Sequence, residues 1–238
     1  MAKIMCWDLE TSNLNSNFGY ILCGGWKVYG KPKIEIASLA DFRGYEERPT
    51  NDKALVAHLS SVLSTADLWV TWYGSRFDVP FLNSRLIHYR YKPLPPIPHV
   101  DGWRIAREKL KLHSNRLASV SAFLGLDEKT MIKGQHWVDA SAGRMSSLRY
   151  VMNHCRQDVK VLEQAYERIR PLSSTHPNVH LTAADPTRPG CPICGTAGKL
   201  RKEGMSIRRT HRVQRYQCQK CGGWSIGKAE MVKGVIIR

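Results

Sequence analysis

Leu148, Val151, Met152, Cys155, Val159, Leu162, Tyr166 and Ile169 recur at spacings of three and four. That period belongs to a long α-helix with one apolar stripe. Pro171 closes it. Such a stripe must be buried against another layer, and the preceding residues read as that layer. Ile4 to Leu9, Tyr20 to Tyr29 and Lys33 to Leu39 are strand-like, and Gly30-Lys31-Pro32 is a turn signal. Their short connections suggest an antiparallel meander. The Gly24-Gly25 pair suggests a bulge in the middle strand.

Helical patterning begins near Asn51, which suits an N-cap, and runs to about Ser64 through Leu55, Leu59 and Leu63. Leu68 to Trp72 reads as a short strand, and Asp78 to Tyr89 as a helix. Pro93, Pro95, Pro96 and Pro98 form a stiff connector, with further helices expected from Gly102 and from Asn115. The expected fold class is α/β: an antiparallel meander plus parallel strands in one mixed sheet, flanked by helices, over residues 1–172. Residues 173–190, with Pro177, Pro186 and Pro189 among polar residues, read as a linker. Residues 191–238 read as a separate small β module.

Lys and Arg number 36 against 20 Asp and Glu, a net charge of +16. This points to a polyanionic partner, nucleic acid first. Residues 176–238 carry +9 of that charge, so its density is highest in the tail. No apolar run approaches the length of a membrane span; the best, Phe18 to Trp26, holds three glycines. Asp8 and Glu10 sit where a signal peptide would need its apolar core. No membrane association is expected, and a reducing, cytoplasmic location is.

Asp8 and Glu10 are two apart on the first strand, so both carboxylates project to one side. Held close, they would repel unless a cation sat between them, and hard Mg²⁺ or Mn²⁺ favours such oxygen ligands. Asp78 lies where a strand gives way to a helix, a position where an acid also stabilises the helix dipole. His154 and Asp158 are one turn apart on the long helix and share a face.

Taken in order, Trp7-Asp8-Leu9-Glu10-Thr11, Phe77-Asp78 and His154-Cys155-Arg156-Gln157-Asp158 resemble the three motifs of the DnaQ-like, or DEDD, 3′–5′ exonuclease superfamily, across about residues 3–171. The likeness is nearest to the exonuclease-like proteins of phages and prokaryotes. It implies a ribonuclease H-like fold and localisation in a prokaryotic cell or infected host. It implies that Asp8, Glu10, Asp78 and Asp158 bind two Mg²⁺ or Mn²⁺ ions, and that a fifth residue handles the attacking water. Here His154 stands at the spacing where the family has a tyrosine, and Asn153 at that of the family's histidine. An imidazole can accept a proton near neutrality, which a tyrosine hardly can, so His154 is preferred over Tyr150 as the base. Tyr73-Gly74 departs from the family's frequent Asn-Gly; Tyr73 could stack on a base or simply pack. Asp101 matches a carboxylate that relatives often carry and is read as structural.

Cys191-Pro-Ile-Cys194-Gly and Cys218-Gln-Lys-Cys221-Gly are two Cys-x2-Cys knuckles with 23 residues between them. Four thiolates at this spacing suit one structural Zn²⁺, and the module resembles a zinc ribbon. Cys6, Cys23 and Cys155 read as buried free thiols. Arg208, Arg209, Arg212 and Arg215, with Tyr216 and Trp224, are the candidate nucleic-acid contacts of the ribbon. Alternation would put Arg208 and Arg212 on one face and Arg209 and Arg215 on the other, around a hairpin tip near Thr210-His211. The two aromatics could equally pack across the small ribbon.

The leading expectation is a 3′–5′ exonuclease acting on DNA, single-stranded or at 3′ ends, with the ribbon assisting binding. A 3′ exoribonuclease, a structure-selective endonuclease and an inactive nucleic-acid-binding adaptor are the alternatives.

Overall fold

The computed structural model describes residues 2–126, 134–208 and 210–231. The chain divides into two compact units, Lys3–Arg168 and Ile169–Arg238 with Met1–Ala2.

The first unit is built on a five-stranded mixed sheet. Strands β1 (Ile4–Thr11), β2 (Ile21–Val28) and β3 (Glu35–Ser38) form the expected antiparallel meander. β4 (Leu68–Thr71) and β5 (His99–Asp101) join on the other side of β1, both parallel, giving the order β3-β2-β1-β4-β5. The connections are helical: α1 (Lys53–Leu63) precedes β4, and α2 (Asp78–His88) precedes β5. After β5 come α3 (Gly102–Lys109), α4 (Leu117–Leu124), α5 (Gln135–Ser141) and the long α6 (Met145–Ile169). Every residue of β4 is buried, as befits a parallel strand covered on both faces.

The stripe on α6 is buried as its period requires: Leu148, Val151, Cys155, Val159 and Leu162 are each at most 1% exposed. Gly24 and Gly25 let helices come close to β2. A Cβ on Gly24 would lie 2.7 Å from Leu59 of α1; on Gly25 it would lie 2.9 Å from Cys155 Sγ and 3.2 Å from Val159 of α6. These glycines therefore serve close packing rather than the expected bulge. The irregularity in the β1–β2 pairing falls between Glu10 and Thr11 instead.

Helix α1 begins one residue later than its sequence signal suggests. Asn51 Oδ1 accepts from Lys53 N at 3.2 Å, while Asp52 is the N-cap. The Asp52 carboxylate does not cap the helix. It is fully buried and accepts from Ile21 N (2.9 Å), Arg85 Nε (2.9 Å) and Nη2 (2.6 Å), and Tyr89 Oη (2.6 Å). This network ties β2 and α1 to α2, and such paired, hydrogen-bonded charges are the kind an interior tolerates.

The second unit carries a three-stranded antiparallel sheet of β6 (Leu200–Ile207), β7 (His211–Cys218) and β8 (Trp224–Met231). Within the stretch expected to be a linker, Val179–Thr182 forms a short 3-10 helix. His180 is buried there, with Nε2 2.5 Å from Arg188 O and Nδ1 3.3 Å from Gly195 O, so this segment is tied to the first knuckle. Among the described residues no helix is long and apolar enough to cross a membrane.

Candidate active site

β1 pairs with β4 only as far as Cys6–Val70. Beyond that point, among the described residues, no strand pairs with the β4 side of β1, and Asp78 takes its place. Leu9 N donates to Asp78 Oδ1 at 3.0 Å. Leu9 lies between Asp8 and Glu10, so the helix carrying Asp78 is locked to the strand carrying the other two acids. Asp78 is 2% exposed, and burial pushes its carboxyl up to about 7. The Leu9 and Asp78 amides oppose that rise, and Asp101 adds to it.

Asp8, Glu10 and Cys155 bring their ligand atoms within 4.8 Å of one another, as do Glu10, His154 and Asp158. The two clusters share Glu10. His154 Nε2 lies 3.8 Å from Glu10 Oε1 and 3.5 Å from Asp158 Oδ2. Its ring is buried and meets Trp137 of α5 edge to face at 5.6 Å. Asn153 is exposed, and Tyr150 stacks on His136 at 4.0 Å. The five motif residues thus come from β1, α2 and α6, with Asp8, Glu10, His154 and Asp158 drawn together directly and Asp78 through Leu9.

Carboxylate oxygens are the donors that hard divalent cations take. Cys155 is the one soft donor in this set. Its hydrogen bond with Cys23 and its burial hold the thiol well above its usual range, with Asp8 and Glu10 adding to the effect. The thiol therefore stays protonated beside the carboxylates, and the set remains one for an oxygen-seeking ion. Both Mg²⁺ and Mn²⁺ fit it.

An open cleft of about 560 Å³ is lined by Asp8 and Asp158 together with Trp72, Tyr73, Trp103 and Arg116. Trp103, Arg116 and Trp137 carried no signal in the sequence as site residues, because each becomes relevant only once α3, α4 and α5 are placed. Asp101 does what a structural carboxylate would. It accepts from Tyr73 N (2.8 Å), Ser75 N (3.1 Å), Ser75 Oγ (2.5 Å) and Trp103 N (3.1 Å). It thereby fastens the loop before Asp78 to the start of α3.

In the second unit the four knuckle thiols lie within 4.8 Å of one another. Cys191 and Cys221 sulfurs are 3.7 Å apart, as are those of Cys194 and Cys218. A tetrahedral zinc with Zn–S bonds of about 2.3 Å places its sulfurs about 3.8 Å apart, so the four thiols could form a zinc site. Gly195 and Gly222, one after each pair, have φ of +73° and +75°, the left-handed turn a knuckle needs. Burial works against ionisation of Cys194, but its hydrogen bonds with the hydroxyl and amide of Thr196 and with Cys191 and Cys221 together outweigh it and hold that thiol down to about 7.

Arg208, Arg212 and Arg215 are exposed, and Arg208 N closes the hairpin on His211 O at 2.8 Å. Arg209 lies outside the described residues. A register shift between Val213 and Arg215 interrupts the simple alternation expected for these arginines. Trp224 is half exposed, with the Arg215 guanidinium 5.8 Å from its ring centre, while Tyr216 is partly buried.

The five-stranded order with acids at the end of the central strand defines a ribonuclease H-like protein. The RNase_H superfamily model matches residues 5–170, and the chain belongs to that superfamily. Among solved structures it is similar to a family B DNA polymerase from the hyperthermophilic archaeon Pyrobaculum calidifontis, with a TM-score of 0.60 and 14% identity. That match covers 72% of this chain and 25% of the polymerase chain, so this chain spans about a quarter of that protein's length. Among curated proteins none matches it in sequence. Family, fold and acid cluster together support a nuclease of this fold.

Proposed function

We propose that this protein is a metal-dependent 3′–5′ exonuclease that hydrolyses phosphodiester bonds of DNA, taking single strands or 3′ ends. The observation that carries the reading is the pair of acid clusters joined at Glu10, with Asp78 tied to the same strand through Leu9. Asp8, Glu10, Asp78 and Asp158 would hold two Mg²⁺ or Mn²⁺ ions. When bound, such ions supply charge stabilisation at the scissile phosphate and a more acidic water. Asp78 contributes an ionised oxygen only after losing the proton its burial favours. His154 sits against Glu10 and Asp158, where its ring nitrogen can accept the proton of the attacking water, and the edge of Trp137 packs on the ring and restricts its tilt. The resemblance of the three motifs to DnaQ-like enzymes supports the exonucleolytic polarity.

In this reading residues 1–172 do the chemistry and residues 191–238 form a zinc ribbon. Zinc on Cys191, Cys194, Cys218 and Cys221 would hold the small sheet together, since so little core cannot do so alone. Arg208, Arg209, Arg212, Arg215, Tyr216 and Trp224 would meet the nucleic acid.

The test is a 5′-labelled single-stranded DNA incubated with Mg²⁺ or Mn²⁺, with products resolved by length. A ladder shortening from the 3′ end is expected. EDTA and Asp8→Ala should each abolish it while the circular dichroism of the variant stays native. Persistence of the ladder in Asp8→Ala would refute the assignment.

A further inference from the structure

Tyr73 has φ +68°, a left-handed conformation that costs a bulky residue about 1–2 kcal/mol and that asparagine or glycine adopts more easily. The strain is held in place. Asp101 takes the Tyr73 and Ser75 amides, and the amides of Arg76 and Phe77 both reach Tyr73 O, at 3.0 and 3.1 Å. Gly74 is required beside it, because a Cβ there would lie 2.3 Å from Thr71 Oγ1. The loop thus spends backbone energy to present an aromatic ring that is 41% exposed. Strain kept in a well-determined loop next to a candidate site is a reason to look for function.

The ring does not stand alone. Trp103 meets it edge to face at 4.9 Å, and Asp101 fixes Trp103 N through the same carboxylate that fixes Tyr73 N. Tyr73 and Trp103 line the same cleft as the acids Asp8 and Asp158. A second depression shares Trp103 with the first and is lined by Ser75, Arg76, Arg104, Arg107 and Glu108, three guanidinium groups against one carboxylate. Arg76, Arg104 and Arg107 are exposed, while Ile105 and Ala106 of the same helix are buried, so α3 anchors itself and turns its arginines outward. The Arg107 guanidinium lies 5.0 Å from the Trp103 ring centre. Through their shared Trp103, the depression holding the acids and Tyr73 adjoins the one holding the arginines.

We propose that Tyr73, braced by Trp103, is the platform on which a base of a single-stranded substrate stacks beside the acid cluster, and that Arg76, Arg104 and Arg107 hold the phosphates of the adjoining nucleotides. An aromatic face accepts any base, and guanidinium groups accept phosphates without reading sequence, so this track selects unpaired strands rather than particular sequences. A duplex keeps its bases stacked inside and cannot offer one to Tyr73. The inference rests on the proposed nuclease reading for its direction, but not for its existence.

The experiment measures binding without cleavage. A fluorescein-labelled oligo-dT is titrated with full-length protein in EDTA and followed by anisotropy. Tyr73→Asn should bind about 10-fold more weakly, while Tyr73→Phe, which keeps the ring, should stay within about twofold of the parent. Asparagine suits the left-handed backbone, so Tyr73→Asn should melt at the parental temperature or above it. Replacing Arg76, Arg104 and Arg107 by Gln should make the plot of log affinity against log salt shallower by about 2, at about 0.7 per phosphate lost. Parental affinity and salt slope in these variants would overturn the proposal. Mg²⁺-dependent cleavage then separates it from the nuclease reading. Weakened binding in Tyr73→Asn with no cleavage by the parent protein sinks the chemistry and keeps the track. Cleavage by Tyr73→Asn at the parental KM sinks the track and keeps the chemistry.

Discussion

The Leu9 amide donates to Asp78 at 3.0 Å, and this single bond sets an acid on α2 beside two acids on β1. It has a consequence for stability. Burial raises the folded carboxyl from 3.8 to about 7, so the folded state binds a proton more readily than the unfolded chain. The contribution of Asp78 to the stability of metal-free protein should therefore be greatest below about pH 4 and be lost as pH rises to about 7, by a few kcal/mol at most. Melting temperatures in EDTA across that window should show the fall. Asp78→Asn should flatten it, and excess Mg²⁺ or Mn²⁺ should restore stability at pH 7. A wild-type profile that runs parallel to that of Asp78→Asn through this window would contradict the account.

His154 is close enough to Glu10 and Asp158 to act on a water held among them. His154→Ala should lose about 10²- to 10⁴-fold in cleavage rate with little change in KM. His154→Tyr restores the residue type that the DnaQ-like pattern has at this spacing and should keep part of the rate. A near-parental rate in His154→Ala would make this histidine a packing residue of the α5–α6 contact.

Gly25 pairs with Asp8 and lets Cys155 and Val159 lie directly on β2. Gly25→Ala puts a methyl within 2.7 Å of Ile36 and 2.9 Å of Cys155. We expect about 1–3 kcal/mol of destabilisation by urea melting, the usual cost of overpacking. Cleavage should fall further than stability alone explains, because displacing α6 moves His154 and Asp158 together. Unchanged urea midpoint and rate would show that α6 has room to give.

The knuckles should carry one zinc per chain by native mass spectrometry. Cys218→Ser should lose it, and amide protons in β6, β7 and β8 should exchange freely while those of β1 and β4 stay protected. Affinity for long DNA should then drop and depend less on salt, because part of the +9 carried by residues 176–238 no longer acts as one surface. Retained zinc in Cys218→Ser, or parental DNA affinity after its loss, would count against this role.

Local period and spacing are enough for much of this protein. The α6 stripe, the β1–β3 meander, the Asp-x-Glu pair and the two Cys-x2-Cys knuckles each depend on residues a few positions apart, and backbone geometry alone decides which of them share a face. Other features depend on distance in space. β5 has three residues after a proline run, too few for a period to register. Gly24-Gly25 looks like a bulge until helices are seen on it, because close packing leaves no mark on the neighbouring sequence. Asp52 stands at a helix start, yet its partners Ile21, Arg85 and Tyr89 are up to 37 positions away. The same holds for the cleft. Tyr73 stands out along the chain only as a departure from Asn-Gly, and Trp103 and Arg116 not at all; they meet Asp8 and Asp158 only because the parallel strands β4 and β5 end on the same side of the sheet. Parallel order is set by crossovers, and a crossover is a property of the folded chain.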